Sequence, residues 1–197
     1  MNNIIVISAP SGTGKTTIIN HLLDKFKELE FSVSATSRAP RPNEINGKHY
    51  YFISQEEFKK RVEQNEFIEW EEVYDGTMYG TPASEVSRIC GLKKVALLDL
   101  DVFGALNFKS KFKNAFLIFV LPPSLEVLRE RLEKRGSESP EAIDRRIEKA
   151  KEELTHALQF DYMLLNDELD EAQCEIEHTV SNFLHNKIVP DTFRIVE

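Results

Sequence analysis

Ser8-Ala9-Pro10-Ser11-Gly12-Thr13-Gly14-Lys15-Thr16-Thr17 is the stretch on which the fold turns. Just before it, Ile4-Ile5-Val6-Ile7 is a β-branched apolar run with the composition of a buried strand. Just after it, Ile18, Ile19, Leu22, Leu23 and Phe26 fall at helical spacing, so Lys15 to Phe26 reads as a helix. A glycine-rich turn held between a strand and a helix is the context of a phosphate-binding loop. Backbone N–H groups of the turn and of the helix N-terminus converge on phosphate oxygens there, and the helix dipole favours the negative charge. Lys15 supplies a point charge for the β and γ oxygens, and the Thr16 hydroxyl is placed to ligate a Mg²⁺ that bridges them. Ala9 stands where the general pattern GxxxxGK[ST] has glycine, a difference of one methyl that the loop accommodates. The plain alternative is a chance glycine-rich turn, and the agreement of motif with context argues against it. Motors, GTPases and kinases all share such a loop, so the rest of the chain must decide between them.

Working outward, Val95 to Leu98, Phe116 to Leu121 and Tyr162 to Leu165 read as further buried strands. The segments around Leu125 to Leu132, Ile143 to Leu158 and Ala172 to Leu184 read as helices. Strands alternating with helices predict an α/β fold, a parallel sheet covered on both faces. About residues 37–84 the rhythm changes: Pro40, Pro42, Gly47, Gly76, Gly80 and Pro82 punctuate short aromatic-rich runs, with one helix announced by Ser54 and Glu57 at capping-box spacing. This reads as a small lobe inserted in the α/β body. Arg135 to Pro140 is polar and turn-prone, which suits a mobile connection between two charged helices.

Composition narrows the partners. At 197 residues, with 41% hydrophobic and 29% charged side chains, the chain has the size and make-up of one ordinary globular domain, which excludes disordered, collagen-like and fibrous classes. Lys+Arg of 25 against Asp+Glu of 33 gives a net charge of -8, unfavourable for a nucleic-acid polymer but compatible with a local basic pocket for a small anion. Cys90 and Cys174 form no CxxC pair, and the five histidines have no metal-ligand spacing, so neither a disulfide framework nor a zinc site is expected. The first residues lack a basic leader, and the apolar run Ala115 to Leu121 falls far short of the ~20 residues that span a bilayer. A cytoplasmic protein with no membrane partner is expected.

Several residues outside the loop carry candidate chemistry. Arg38 and Arg41, with Pro40 and Pro42 stiffening their segment, suit one phosphate held between two guanidinium groups, or else are solvated surface charges. Tyr50 and Tyr79 have O–H groups for the same phosphate, or are simply lobe core. Alternation in Phe67-Ile68-Glu69-Trp70 directs Glu69 away from Ile68 and Trp70, which reads on pattern alone as an outward, solvated carboxylate. Asp99 ends the strand Val95 to Leu98, where α/β sheets place ligand-binding residues; it reads as a carboxylate that orients a water on Mg²⁺, or as a helix N-cap. Asn166 follows a late strand, where a turn-forming role is available to it.

Taken in order, Ser32-Val33-Ser34-Ala35-Thr36-Ser37-Arg38-Ala39-Pro40-Arg41-Pro42, Gly47-Lys48-His49-Tyr50-Tyr51-Phe52, Glu66-Phe67-Ile68-Glu69-Trp70, Tyr79-Gly80-Thr81-Pro82, Leu98-Asp99-Leu100-Asp101, Arg131 to Gly136, Arg146 and Leu165-Asn166-Asp167 closely resemble guanylate kinases over about residues 3–185. The resemblance implies a P-loop nucleoside monophosphate kinase fold within a single domain over 1–197. Its core would be about 1–36, 94–125 and 155–186, its GMP-binding lobe about 37–84 and its lid about 126–150. It implies Mg²⁺-dependent transfer of the γ-phosphoryl group of ATP to GMP or dGMP, in purine nucleotide metabolism and GMP recycling. ATP would be held by Ala9, Pro10, Ser11, Gly12, Thr13, Gly14, Lys15, Thr16 and Thr17, with Asn166 at the adenine. GMP would be held by Arg38, Arg41, Tyr50 and Tyr79 at its phosphate and by Glu69, Ser34, Thr81 and Asp101 at its base. Lys15, Arg131, Arg135 and Arg146 would carry the charge of catalysis, with Thr16 on the metal and Asp99 behind it. Guanine presents N1–H and a 2-amino group side by side, which suits a two-oxygen carboxylate. Met78, His49 and the Asp75-Gly76 pair depart from residues frequent in the family without removing a reacting group. The rivals are a guanylate-kinase-like protein-interaction domain, in which the phosphate loop is usually degraded, and a kinase for another phosphate acceptor.

Overall fold

β-Branched residues from Ile4 to Ser8 form the first strand, β1, in the computed structural model, which describes residues 4–74, 76–136 and 139–185. In chain order there follow α1 (Lys15–Lys25), β2 (Leu29–Phe31), β3 (Ala35–Thr36), β4 (Tyr51–Phe52), α2 (Gln55–Glu63), β5 (Phe67–Tyr74), β6 (Thr77–Pro82) and α3 (Ala83–Gly91). The second half comprises β7 (Val95–Asp99), α4 (Val102–Lys111), β8 (Ala115–Leu121), α5 (Leu125–Lys134), α6 (Pro140–Leu154), a 3₁₀ turn (Ala157–Gln159), β9 (Tyr162–Leu165) and α7 (Leu169–Leu184). The tail after about residue 186, to which the sequence assigns no role, lies outside the described residues, as do Asp75 and part of the connection between α5 and α6.

Five strands form a parallel sheet in the order β2-β7-β1-β8-β9, the α/β arrangement expected from the alternation of elements. The period of two along β1 sorts its side chains between two cores. Ile5 and Ile7 pack with Ile18, Ile19 and Leu22 of α1 and Ala172, Ile176 and Val180 of α7. Ile4 and Val6 face the other way, onto Val86 and Ile89 of α3 and Val102, Ala105 and Phe108 of α4. Every residue of β1 is buried, which explains why it reads as a continuous apolar run without alternation.

The second sheet, β4-β3-β6-β5, is mostly antiparallel; β4, β5 and β6 lie in the inserted stretch, and β3 (Ala35–Thr36) joins them from just ahead of the boundary expected at about residue 37. Its own core is small: Ala35, Phe58 and Met78 are buried, with Tyr51, Ile53, Val62 and Phe67 packed against them. Ser54 caps α2 by accepting from the Glu57 N–H, as the capping-box spacing predicts. α5 and α6 share a third apolar cluster of Leu128, Leu132, Ile143, Ile147 and Ala150. The helix expected from Ile143 to Leu158 instead starts at Pro140, behind the cap of Ser139, and stops at Leu154. Thr155 and His156 turn the chain there, and the 3₁₀ turn that follows buries Ala157 beneath the sheet.

Candidate active site

The loop between β1 and α1 takes its shape from two glycines. Gly12 and Gly14 have φ of 101° and 96°, the left-handed region that side chains disfavour. Gly14 is the residue before α1, so the first free N–H groups of the helix open towards the loop. Thr13 turns inward, its hydroxyl donating to the Pro10 carbonyl at 3.0 Å. Asn166, 5% exposed, donates from its amide to the Thr13 carbonyl at 2.6 Å, and a Cβ on Gly14 would collide with that amide. Asn166, just past the edge strand β9 (Tyr162–Leu165), thus braces the loop. Arg131 in turn fastens the segment after β9, donating to the carbonyls of Asn166 at 2.9 Å and Asp167 at 3.2 Å.

Lys15 leaves the start of α1 and meets the end of β7. Its ammonium lies 2.5 Å from Asp99 Oδ1 and donates to the Leu100 carbonyl at 3.1 Å. The N-cap open to Asp99 in the sequence reading is taken by Asp101, whose Oδ1 accepts from the Gly104 N–H at 2.7 Å to start α4. Asp99 therefore stays at the carboxyl end of its strand, beside the loop. The Thr16 hydroxyl lies on the exposed flank near Asp99.

Across a cavity of about 230 Å³ stand the lobe residues. Its walls bring together Ser11, Lys15, Asp99 and, from α6, Arg146 with Ser34, Arg38, Arg41, Tyr50, Glu69, Tyr79 and Asp101. Thr81 acts from behind, donating to Glu69 Oε1 at 2.6 Å. The outward orientation that alternation allows for Glu69 is overturned. Glu69 is 5% exposed and Trp70, its neighbour, is 43% exposed. The reason lies outside the strand: β5 is the edge of its sheet, and α4 packs over its inner face. A Cβ on Gly104 would sit 2.9 Å from Glu69 Oε2 and 3.0 Å from Asp101 Oδ1, so only glycine lets the helix approach this closely. Burial pushes the Glu69 carboxyl up to about 7, with the charges of Asp101 and Glu71 adding to it and the Thr81 hydrogen bond opposing.

At the other end of the cavity Arg38 lies over the rings of Tyr50 and Phe52, 5.1 and 5.5 Å from their centroids. Its Nε donates to the Tyr79 hydroxyl at 3.1 Å. Its two terminal nitrogens grip Glu44 at 2.6 and 2.7 Å, while the Arg41 backbone N–H donates to the same carboxylate at 2.7 Å. This bidentate pair holds the Glu44 carboxyl down to about 2 and raises the Arg38 guanidinium further. Burial pushes the Tyr50 phenol up, with the nearby Asp99 charge in the same sense. Glu44, Gly104, Glu71 and Asn107 are absent from the sequence reading. Of these, only the fixed spacing of Glu44 after Arg38 and Arg41 leaves a local trace.

The arginines of α5 and α6 do not share one space. Arg146, on α6, lines the cavity and donates to the Ser11 hydroxyl of the loop. Arg135, exposed at the end of α5, lines a second cavity of about 320 Å³ with Gly12, Gly14, Thr17, Arg131 and Asn166. The phosphate loop thus separates two openings: one edged by a buried carboxylate and paired arginines, the other by Asn166 and the glycines. Such an arrangement can hold two anionic ligands end to end across the loop.

A family model described as guanylate kinase matches residues 1–183. The guanylate kinase of Porphyromonas gingivalis is 50% identical over 186 residues, covering 93% of this chain and 99% of that protein. That of Bacteroides thetaiotaomicron is 46% identical over 185 residues, covering 93% and 91%. Among solved structures, the crystal structure of guanylate kinase from Anaplasma phagocytophilum superposes with a TM-score of 0.73 at 31% identity, covering 91% of this chain and 85% of that one.

Proposed function

The chain belongs to the guanylate kinase family and transfers the γ-phosphoryl group of ATP to GMP, and we propose that it does so across the phosphate loop with the residues of the two cavities. The observation that carries this reading is that one space joins Lys15 and Arg146 to Glu69 and to the paired arginines Arg38 and Arg41. GMP enters from the lobe. Its N1–H and 2-amino group donate to the two oxygens of Glu69, with Ser34 and Asp101 around the base and Thr81 holding Glu69 from behind. Its phosphate takes Arg38, Arg41, Tyr50 and Tyr79. ATP lies on the loop from Ala9 to Thr17, its adenine near Asn166 and Arg135 on its side of the loop.

A phosphate oxygen of GMP attacks the γ-phosphorus and the bond to the β–γ bridging oxygen breaks, leaving ADP and GDP. The acceptor is already an anion, so no side chain is required to remove a proton. The protein positions the two phosphates in line and meets the charge that spreads over the transferring group, with Lys15, Arg146 and Arg135 as the cations. The donor set near the loop is a hydroxyl and a carboxylate, Thr16 and Asp99, and no cluster of three or more His, Cys, Asp or Glu suited to a metal occurs among the described residues. That chemistry fits a hard Mg²⁺ held mainly by nucleotide phosphates, with Thr16 as its protein ligand and Asp99 behind a bound water. Such an ion supplies charge neutralisation on the phosphate oxygens. Closure of the lobe (about 37–84) and lid (about 126–150) on the core would exclude water, the competing acceptor. No helix among the described residues is long and apolar enough to cross a membrane. Free Cys90 and Cys174 together with nucleotide substrates favour the cytoplasm.

An ADP-release assay with ATP, Mg²⁺ and each of GMP, AMP, CMP and UMP tests the reading. GMP is expected to be the acceptor, and Lys15→Met to lower kcat about a hundredfold or more while the protein stays folded. Turnover near wild type in folded Lys15→Met removes the loop from the mechanism. Phosphorylation of no monophosphate would favour the interaction-domain reading.

A further inference from the structure

The phosphate-transfer reading uses Glu69 but not Glu71, although both point from β5 into the same cavity. β5 and β6 pair antiparallel, with Glu69 opposite Thr81 and Glu71 opposite Tyr79. One end of this ladder is the guanine end. The other rung carries Tyr79, the hydroxyl that meets Arg38. A step of two residues along a strand covers about 7 Å, shorter than a nucleoside monophosphate from its base edge to its phosphorus. The ribose must therefore pass the rung of Glu71.

Glu71 is built to be held there. The Asn107 amide of α4 donates to its Oε1 at 2.5 Å, and no hydrogen bond to Oε2 occurs among the described residues. The helix that carries Asn107 also carries Asp101 at its cap, so one element holds two of the cavity's carboxylates, Asp101 and Glu71. The neighbouring charges are Asp101 and Glu69 from the cavity wall and Lys149 from α6. A ribose offers hydroxyl donors, and a carboxylate with one oxygen fixed and one open is the acceptor that acidic residues supply to ribose in dinucleotide sites.

We propose that Glu71 is a specificity-determining residue that accepts a hydrogen bond from a ribose hydroxyl of the monophosphate, so that the site prefers GMP to its deoxy analogue. The proposal rests on the assignment of GMP to this cavity. It is tested by kcat/KM for GMP, 2′-deoxyGMP and 3′-deoxyGMP at saturating ATP in the wild type, Glu71→Gln and Glu71→Ala. The wild type is expected to favour GMP over at least one deoxy nucleotide by about tenfold or more, the range for a hydrogen bond to a charged group. Whichever hydroxyl is read, Glu71→Ala brings that ratio close to one, and Glu71→Gln, which keeps volume and an acceptor oxygen but no charge, reduces it in part. Loss of the tie to Asn107 alone would lower stability without changing the ratio. A wild type that uses all three nucleotides alike, or ratios unchanged in both variants, overturns the role of Glu71 while leaving guanylate kinase activity intact. A wild type that phosphorylates none of them overturns the activity itself and Glu71's role with it. If Glu71→Ala does not fold, the Glu71→Gln ratio decides.

Discussion

Glu69 holds a carboxyl that folding prefers neutral and that the proposed contact with guanine would prefer charged. Its pKa is pushed up to about 7 by burial. A raised carboxyl pKa favours the protonated form in the folded state, so the stability linked to Glu69 is fullest below the ordinary value of 4.5 and is lost as pH rises through about 7. The loss at pH 8 is on the order of 3 kcal/mol. Glu69→Gln removes the ionisation and keeps an acceptor for Thr81. In thermal melts without nucleotide, the variant should therefore exceed the wild type at pH 8, with the gap closing towards pH 5. In the binding mode proposed above GMP, by contrast, donates two hydrogens to both oxygens, so it selects the ionised form and its KM should rise as pH falls below about 7. Adenine lacks the 2-amino group and turns an N1 lone pair towards the carboxylate, so discrimination combines lost bonds with repulsion. Glu69→Gln should reduce kcat/KM for GMP far more than for AMP. A melting gap independent of pH, or a GMP/AMP ratio equal to wild type in the folded variant, would remove the buried carboxylate from both arguments.

At the scale of elements, α5 and α6 pack on one another through Leu128, Leu132, Ile143 and Ile147, so the two arginines of the proposed lid ride on one body. They approach the loop from opposite sides: Arg146 reaches Ser11, and Arg135 lines the opening shared with Asn166. Contacts completed chiefly when the lid closes act on the transition state, so Arg146→Ala and Arg135→Ala should each lower kcat more than they raise KM for GMP. Because Arg135 stands on the other side, its variant should raise KM for ATP more than Arg146→Ala does. Equal KM shifts for both nucleotides in both variants would contradict the two-sided arrangement. The same elements show what a sequence exposes. The strand, loop and helix from Ile4 to Lys25 are legible because their signals are local: β-branched burial, two glycines, then helical spacing. Arg38, Arg41 and Glu69 stand out as residue types. The burial of Glu69 does not, because it depends on α4, which lies more than thirty positions downstream and packs close only through Gly104. β3 is two residues long, and its identity comes from pairing with β4 and β6, which no local pattern announces.

For the whole molecule the question is what holds a weak lobe to a strong body. The body buries two extensive clusters on either side of its sheet, whereas the lobe buries Ala35, Phe58 and Met78. So little core leaves the lobe dependent on its attachment. One buried polar tie is Glu85, 5% exposed at the start of α3, where the chain leaves β6. Its oxygens accept from the Val33 N–H at 3.2 Å on the crossing between sheets, from the Tyr51 hydroxyl at 3.0 Å in β4, and from Arg88 at 3.0 and 3.1 Å. Burial pushes the Glu85 carboxyl up, but the hydrogen bonds from Arg88, Val33 and Tyr51 outweigh it and the net direction is down. A lowered carboxyl pKa means that its stabilisation is present above the ordinary value of 4.5 and is lost as pH falls through the lower folded value, opposite in sign to Glu69. Glu85→Ala strands the Val33 N–H and removes the partner of the Tyr51 phenol, while the half-exposed Arg88 keeps Glu30 at 3.7 Å, a loss of about 2 kcal/mol. Because those groups join lobe to body, the loss should fall unevenly. Amide hydrogen exchange at pH 7 is expected to accelerate in β3 to β6 while β1, β7 and β8 keep their protection, and KM for GMP should rise because the residues proposed to bind it sit on the loosened side. Exchange that accelerates equally in both sheets would mean that lobe and body unfold as one unit and that Glu85 contributes only to their common stability.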